Sequence, residues 1–154
     1  MNNNKFINLA LKLAINNVEK RIGGPFGAII VKDGEIISEG INKVTHSNDP
    51  TAHAEISAIR EACQKLKTPF LNECIIYSSC EPCPMCYSAI RWAKINEIYY
   101  CNTRKEAKSI GFDDDLIYSE IIENKQPMKR IDSEFEKIPF QQWTEDKKNR
   151  ILII

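Results

Sequence analysis

The sequence predicts an α/β fold in which helices flank a mixed sheet, and three observations carry that prediction. Strand-like and helix-like segments alternate along the chain, and an Asp-Gly pair joins two apolar runs near its start. No internal repeat and no Pro/Gly/Ser-rich linker divides the 154 residues. A single domain spanning 1–154 is expected, long enough to bury about two thirds of its unfolded surface. With 43% hydrophobic and 27% charged residues, a conventional core is available without disulfides.

The elements follow in order. In the opening stretch MNNNKFINLALKLAINNVEKR, Phe6, Leu9, Leu13 and Ala10, Ala14, Val18 recur at helical spacing. Lys12 interrupts the apolar run and no small-residue cleavage site follows, so an amphipathic helix is expected there rather than a secretory signal. Residues 27–32 (GAIIVK) and 35–41 (EIISEGI) flank Asp33-Gly34, a two-residue hairpin signal. The polar loop NKVTHSNDP follows, with His46 on its surface. A helix is expected from Pro50 to Leu66, with Ala52, Ile56, Ile59, Cys63 and Leu66 along one face. CIIYS at 74–78 reads as a buried strand, 83–94 as a helix and INEIYYC at 95–101 as another strand. Beyond 102 the chain predicts short helices, one over 115–123, broken at Pro127 and Pro139. Trp92 and Trp143 are expected to serve as packing residues.

Charge and hydropathy narrow the class. Lys and Arg number 21 against 21 Asp and Glu, which argues against a partner with a phosphate backbone. No segment approaches the roughly 20 apolar residues of a membrane span. A cytoplasmic setting is expected, where thiols stay reduced and clustered cysteines mean metal or catalysis.

The cluster is SSCEPCPMCYS at 78–88, holding three of the six cysteines. Cys83 and Cys86 are one helical turn apart, and Pro82 just ahead suits a helix start. Taken alone, this stretch also fits a thioredoxin-like redox pair, or a closed zinc site that uses Cys80. Cys63, Cys74 and Cys101 are isolated and read as small packing residues. PTAHAEISAIR at 50–60 separates the readings, because His53-x-Glu55 followed by Pro-Cys-x-x-Cys is the signature of zinc deaminases. His53 and Glu55 stand about 200° apart on a helix, so they converge only over its end. The site is therefore expected where two helix N-termini meet near the strand ends. His53, Cys83 and Cys86 are three candidate ligands for Zn2+, leaving a fourth tetrahedral position open. Such an ion lowers the pKa of water from about 16 towards about 7. Glu55 is the candidate general base, and the chemistry is hydrolytic deamination of an aminated heterocycle.

The stretches GGPFGAIIVKDG, SNDPTAHAE, SSCEPCPMC and GFDDDLIYSEI resemble bacterial guanine deaminases of the cytidine/deoxycytidylate deaminase-like superfamily. The resemblance covers most of residues 5–122 and resumes at PFQQW, 139–143. It implies a three-layer α/β/α cytidine-deaminase-like fold and conversion of guanine to xanthine and ammonia. It further implies that Phe26 stacks on the purine and Asn42 bonds its polar edge, that the Ala54 N–H contacts substrate, and that Asp114 is a second catalytic carboxylate. Asp113 and Asp115 are the alternatives to Asp114; without the family, this acidic run reads as a solvated turn capping the next helix. The family pattern also implies a homodimer that exchanges a C-terminal segment, here 125–154, and ends on an aromatic residue. This chain instead ends WTEDKKNRILII, with no terminal Tyr, and its apolar tail is expected to be buried in the dimer.

The expected partner is a small-molecule purine, with no nucleic acid and no membrane. Three alternatives stand beside guanine deamination. One is deamination of another small base or nucleoside, such as guanosine, cytosine or an aminotriazine. Another is tRNA adenosine deamination, for which the slightly basic C-terminal region offers little RNA-binding surface. The last is a structural zinc domain, which leaves Glu55 unexplained.

Overall fold

The structure is a computed structural model and describes residues 3–145. Helix α1 (Asn3–Glu19) leads into the hairpin β1 (Gly27–Lys32) and β2 (Glu35–Ile41). The short α2 (Val44–Ser47) and then α3 (Ala54–Leu66) precede β3 (Cys74–Cys80), α4 (Pro84–Trp92) and β4 (Glu97–Asn102). Helices α5 (Arg104–Ser109), α6 (Asp115–Ile122) and α7 (Ile138–Glu145) follow. The chain groups into two compact units, Met1–Tyr118 and Ser119–Ile154. Within the second, α7 is the one complete helix among the described residues.

The four strands form a mixed sheet in the order β2-β1-β3-β4, with β1 antiparallel to both neighbours and β3 parallel to β4. Asp33 and Gly34 take φ of 51° and 81°, the positive values of a tight two-residue hairpin. Alternation along β1 sends Ala28 and Ile30 to one face, against Ala54, Ala58, Ala62, Ile90 and Ile95. Ile29 and Val31 go to the other face, with Phe6, Ala10 and Tyr77. These are the α/β/α layers, with α1 on one side and α3 and α4 on the other.

Two glycines let the helices close on the sheet. A Cβ on Gly40 would lie 2.0 Å from the Ala54 carbonyl oxygen, and one on Gly27 would lie 2.4 Å from that of Ala10. The sheet topology then places the site. Strands β2, β3 and β4 run in one direction, so α3, α4 and α5 all begin at the same end of the sheet. β1 runs the other way and starts there, just after Phe26.

The boundaries differ from expectation in instructive places. Helix α3 begins at Ala54 rather than Pro50, because Asp49 Oδ1 accepts from the Thr51 N–H (2.8 Å) and hydroxyl (2.7 Å) and holds a turn ahead of the helix. Its deepest face is Ala54, Ala58 and Ala62, one step from the predicted stripe, since small residues allow contact with Gly40. Strand β3 runs on to Cys80, which pairs with Asn102, and α4 starts after Cys83. Three packing expectations are corrected. Cys101 is exposed because β4 is an edge strand, while Trp92 and Trp143 are 59% and 51% exposed on outward helix faces.

Candidate active site

His53 and Cys83 occupy equivalent places, each the extended N-cap residue of its helix. Their side chains therefore reach over the helix ends, and Cys86, one turn into α4, points to the same spot. The Cys83 and Cys86 sulfurs lie 3.6 and 3.5 Å from His53 Nδ1. These three donors are all within 4.8 Å of one another. Zinc–sulfur bonds of about 2.3 Å and zinc–nitrogen bonds of about 2.0 Å give ligand–ligand edges of about 3.5 Å in a tetrahedron. The donor group thus fits zinc in both size and chemistry. Hydrogen bonds from the Cys86 thiol and from His53 push the Cys83 thiol down to about 4, against the effect of burial. Cys86 is pushed up by its bond to Cys83 and by burial. A bound cation needs both sulfurs as thiolates and would displace the protons they carry.

Glu55 reaches the same place from the second position of α3, buried to 6% exposure. Its Oε1 accepts from the Ser78 hydroxyl at 3.0 Å and its Oε2 from the Cys86 thiol at 3.4 Å. Burial raises its carboxyl above the ordinary value, opposed by backbone and Ser78 hydrogen bonds. Ala54, between His53 and Glu55, is the first residue of α3, where an N–H has no partner within the helix.

A cavity of about 640 Å³ opens over these groups, lined among others by Phe26, Asn42, Met85, Arg104, Phe112 and Asp114. Phe26 meets Phe112 edge-on, with ring centroids 4.8 Å apart. Asn42 Oδ1 accepts from the Gly24 and Val44 N–H groups, both at 3.3 Å, which fixes its amide orientation. Nδ2 makes no hydrogen bond among the described residues and is the group left to donate. Asn17, buried in α1, holds this wall by donating to the Gly24 and Asn42 carbonyls at 2.8 Å each.

The acidic run divides by role. Asp114 accepts two bonds from Arg104, whereas Asp113 pairs with Lys108 and accepts from the Asp115 N–H. Asp115 is 58% exposed and bonded to Arg104 and Lys108. Asp113 and Asp114 line the cavity; Asp115 does not. Cys80 also lines it, 5% exposed, its thiol pushed up to about 11 by burial.

Residues 1–102 match the family model described as the cytidine and deoxycytidylate deaminase zinc-binding region. The chain belongs to this deaminase family. Guanine deaminase of Bacillus subtilis strain 168 is 50% identical to it over 147 residues, 93% of this chain and 94% of that protein. A solved X-ray structure of guanine deaminase from Bacillus subtilis matches with a TM-score of 0.89 and 49% identity, over 94% of each chain. The tRNA-specific adenosine deaminase of Aquifex aeolicus strain VF5 is 46% identical over 95 residues, 62% of either chain. The family's zinc and the donor group found here agree.

Sequence reasoning about this deaminase-family chain passed over four residues that shape the site: Asn17, Ser78, Arg104 and Phe112. Ser78 opens the cysteine cluster and Phe112 lies in GFDD, so both carry a signal. Asn17 was a polar residue on the buried side of an amphipathic helix, a mismatch that itself marks a role. Arg104 had no local signal, since its partner lies ten residues on.

Proposed function

We propose that this chain hydrolyses guanine to xanthine and ammonia. The observation that carries the reading is the buried Glu55 carboxylate set against the His53, Cys83 and Cys86 donors, with His53, Glu55 and Cys83 lining one cavity. These three residues would hold zinc, which supplies a Lewis acid that makes water a nucleophile near neutrality. Glu55 takes a proton from the attacking water and delivers it to the unprotonated ring nitrogen beside C2. It then helps protonate the amine that departs as ammonia. Burial raises its carboxyl, which suits a group that must both accept and return a proton.

The remaining residues orient the base. Phe26 provides a ring face, and the Ala54 N–H and Asn42 Nδ2 are the donors for ring acceptors. Asp114 is the acceptor for the exocyclic amine and N1–H, and relays the second proton. Adenine has its amine beside an unprotonated N1, so a carboxylate there finds one partner fewer. A site built on such polar matches rejects the wrong base strongly.

The reading extends to the whole chain. The single deaminase domain works as a homodimer in the cytoplasm, in purine breakdown, with 125–154 exchanged between subunits; residues 146–154 lie outside the described residues. Tyr87, Trp92 and Leu116, at 52%, 59% and 70% exposure, favour such burial, and six unpaired thiols suit a reducing compartment. Among the described residues, no helix is long and apolar enough to cross a membrane.

The test is ammonia release from guanine, guanosine, adenine and cytosine by the purified protein. Guanine is expected to be turned over at least about 100-fold faster than the others. Preference for any of the other three would overturn the assignment. The similarity to a tRNA-specific adenosine deaminase makes a tRNA arm worth including, with no inosine expected.

A further inference from the structure

We infer that Arg104 is a positioning residue, whose guanidinium fork sets the Asp114 carboxylate so that one oxygen faces the donor edge of the substrate. The inference rests on the reading above that Asp114 meets the base. Arg104 Nε and Nη2 both donate to Asp114 Oδ1, at 2.9 and 2.8 Å. Oδ2 has no hydrogen bond among the described residues, while the Asp114 side chain lines the cavity. Two donors converging on one oxygen pin Oδ1 more firmly than a single contact would and leave Oδ2 as the carboxylate's open acceptor.

Arg104 is itself held from three sides. Its guanidinium carbon lies 3.4 Å from the centre of the Tyr118 ring, so the cation rests on an aromatic face. Nη2 also donates to Asp115 Oδ1 at 3.1 Å. Its backbone N–H donates to Glu81 Oε2 at 3.1 Å, and Glu81 adjoins Cys80 in the cysteine motif. The Glu81 N–H in turn donates to the Asn102 carbonyl at 2.8 Å, and Asn102 Nδ2 to the Ser79 carbonyl at 3.0 Å. Arg104 is thereby tied to the end of β3, which leads into Cys83 and Cys86. The backbone N–H anchors Arg104 to that strand end while the guanidinium grips the acidic loop, and the planar geometry of that group cannot be reproduced by an ammonium.

A purely structural ion pair would look similar in the resting protein, so the experiment measures coupling. Guanine affinity is read by calorimetry in a Glu55→Gln background, alone and with Arg104→Met, Asp114→Ala or both. Turnover of guanine is read in the same set without Glu55→Gln. Arg104→Met is expected to weaken guanine binding and kcat/KM about 10- to 100-fold, with zinc content unchanged. Adding it to Asp114→Ala should cost less than about twofold more, because its action passes through Asp114. Arg104→Lys should recover only part of the loss, and it substitutes as the probe if the Met variant fails to fold. Losses that multiply in the double variant, or unchanged guanine affinity on replacing Arg104, overturn the inference. A wild-type protein that binds guanine but releases no ammonia would instead sink the deaminase reading, while the affinity cycle still decides on Arg104.

Discussion

Ser78 offers the clearest physics at the scale of one residue. A carboxylate as buried as Glu55 keeps its hydrogen bonds or loses its geometry, and here the Ser78 hydroxyl donates to one oxygen from the central strand β3. Ser78→Ala removes that donor without touching the metal ligands. We expect kcat to fall about 10- to 100-fold, with KM and bound zinc near wild type. Glu55→Gln is the harsher change, with an expected loss of about 100- to 10,000-fold and zinc retained. Atomic emission for zinc beside steady-state kinetics checks both. A Ser78→Ala protein that turned over guanine as fast as wild type would remove the positioning role from Ser78. A fully active Glu55→Gln would remove Glu55 from the reaction.

The two close helix–sheet approaches differ at the scale of elements, although each depends on a missing side chain. Gly40 lets α3 lie against β2, and α3 carries His53 and Glu55 at its start. Gly27 lets α1 lie against β1 on the opposite face, away from the metal ligands. Either glycine changed to Ala forces backbone apart, at about 1–3 kcal/mol. The functional outcomes should separate. Gly40→Ala displaces the first turn of α3 and should lower zinc affinity as well as urea stability, whereas Gly27→Ala should lower stability and leave zinc stoichiometry intact. Equal effects on zinc from both substitutions would contradict this division of labour.

For the whole molecule, the exposed aromatic side chains of α4 and the apolar residues of α6 ask for a partner surface. Sedimentation at micromolar concentration is expected to report twice the 17.7 kDa chain mass. Deleting 146–154 should reduce guanine turnover more than zinc content, if that segment completes the neighbouring site. A monomer with full activity would refute both the dimer and the exchanged segment.

The sequence by itself determined the local features. Alternation marked the strands, Asp33-Gly34 the hairpin, and the His-x-Glu and Pro-Cys-x-x-Cys spacings the metal donors, because each is written within a few residues. The 200° separation of His53 and Glu55 even placed the site over a helix end. Only the tertiary structure decided that Arg104 would put two bonds on Asp114, that the Gly24 and Val44 N–H groups would engage the Asn42 amide oxygen, and that Ser78 would meet Glu55. Those pairings join residues between two and 23 positions apart, and hydrogen-bond partners across elements are set by how β2, β3 and β4 deliver their following helices to one end of the sheet. Burial behaves likewise: Trp92 and Cys101 looked apolar in sequence but lie outward, since which face of an edge element meets the core depends on what packs beside it.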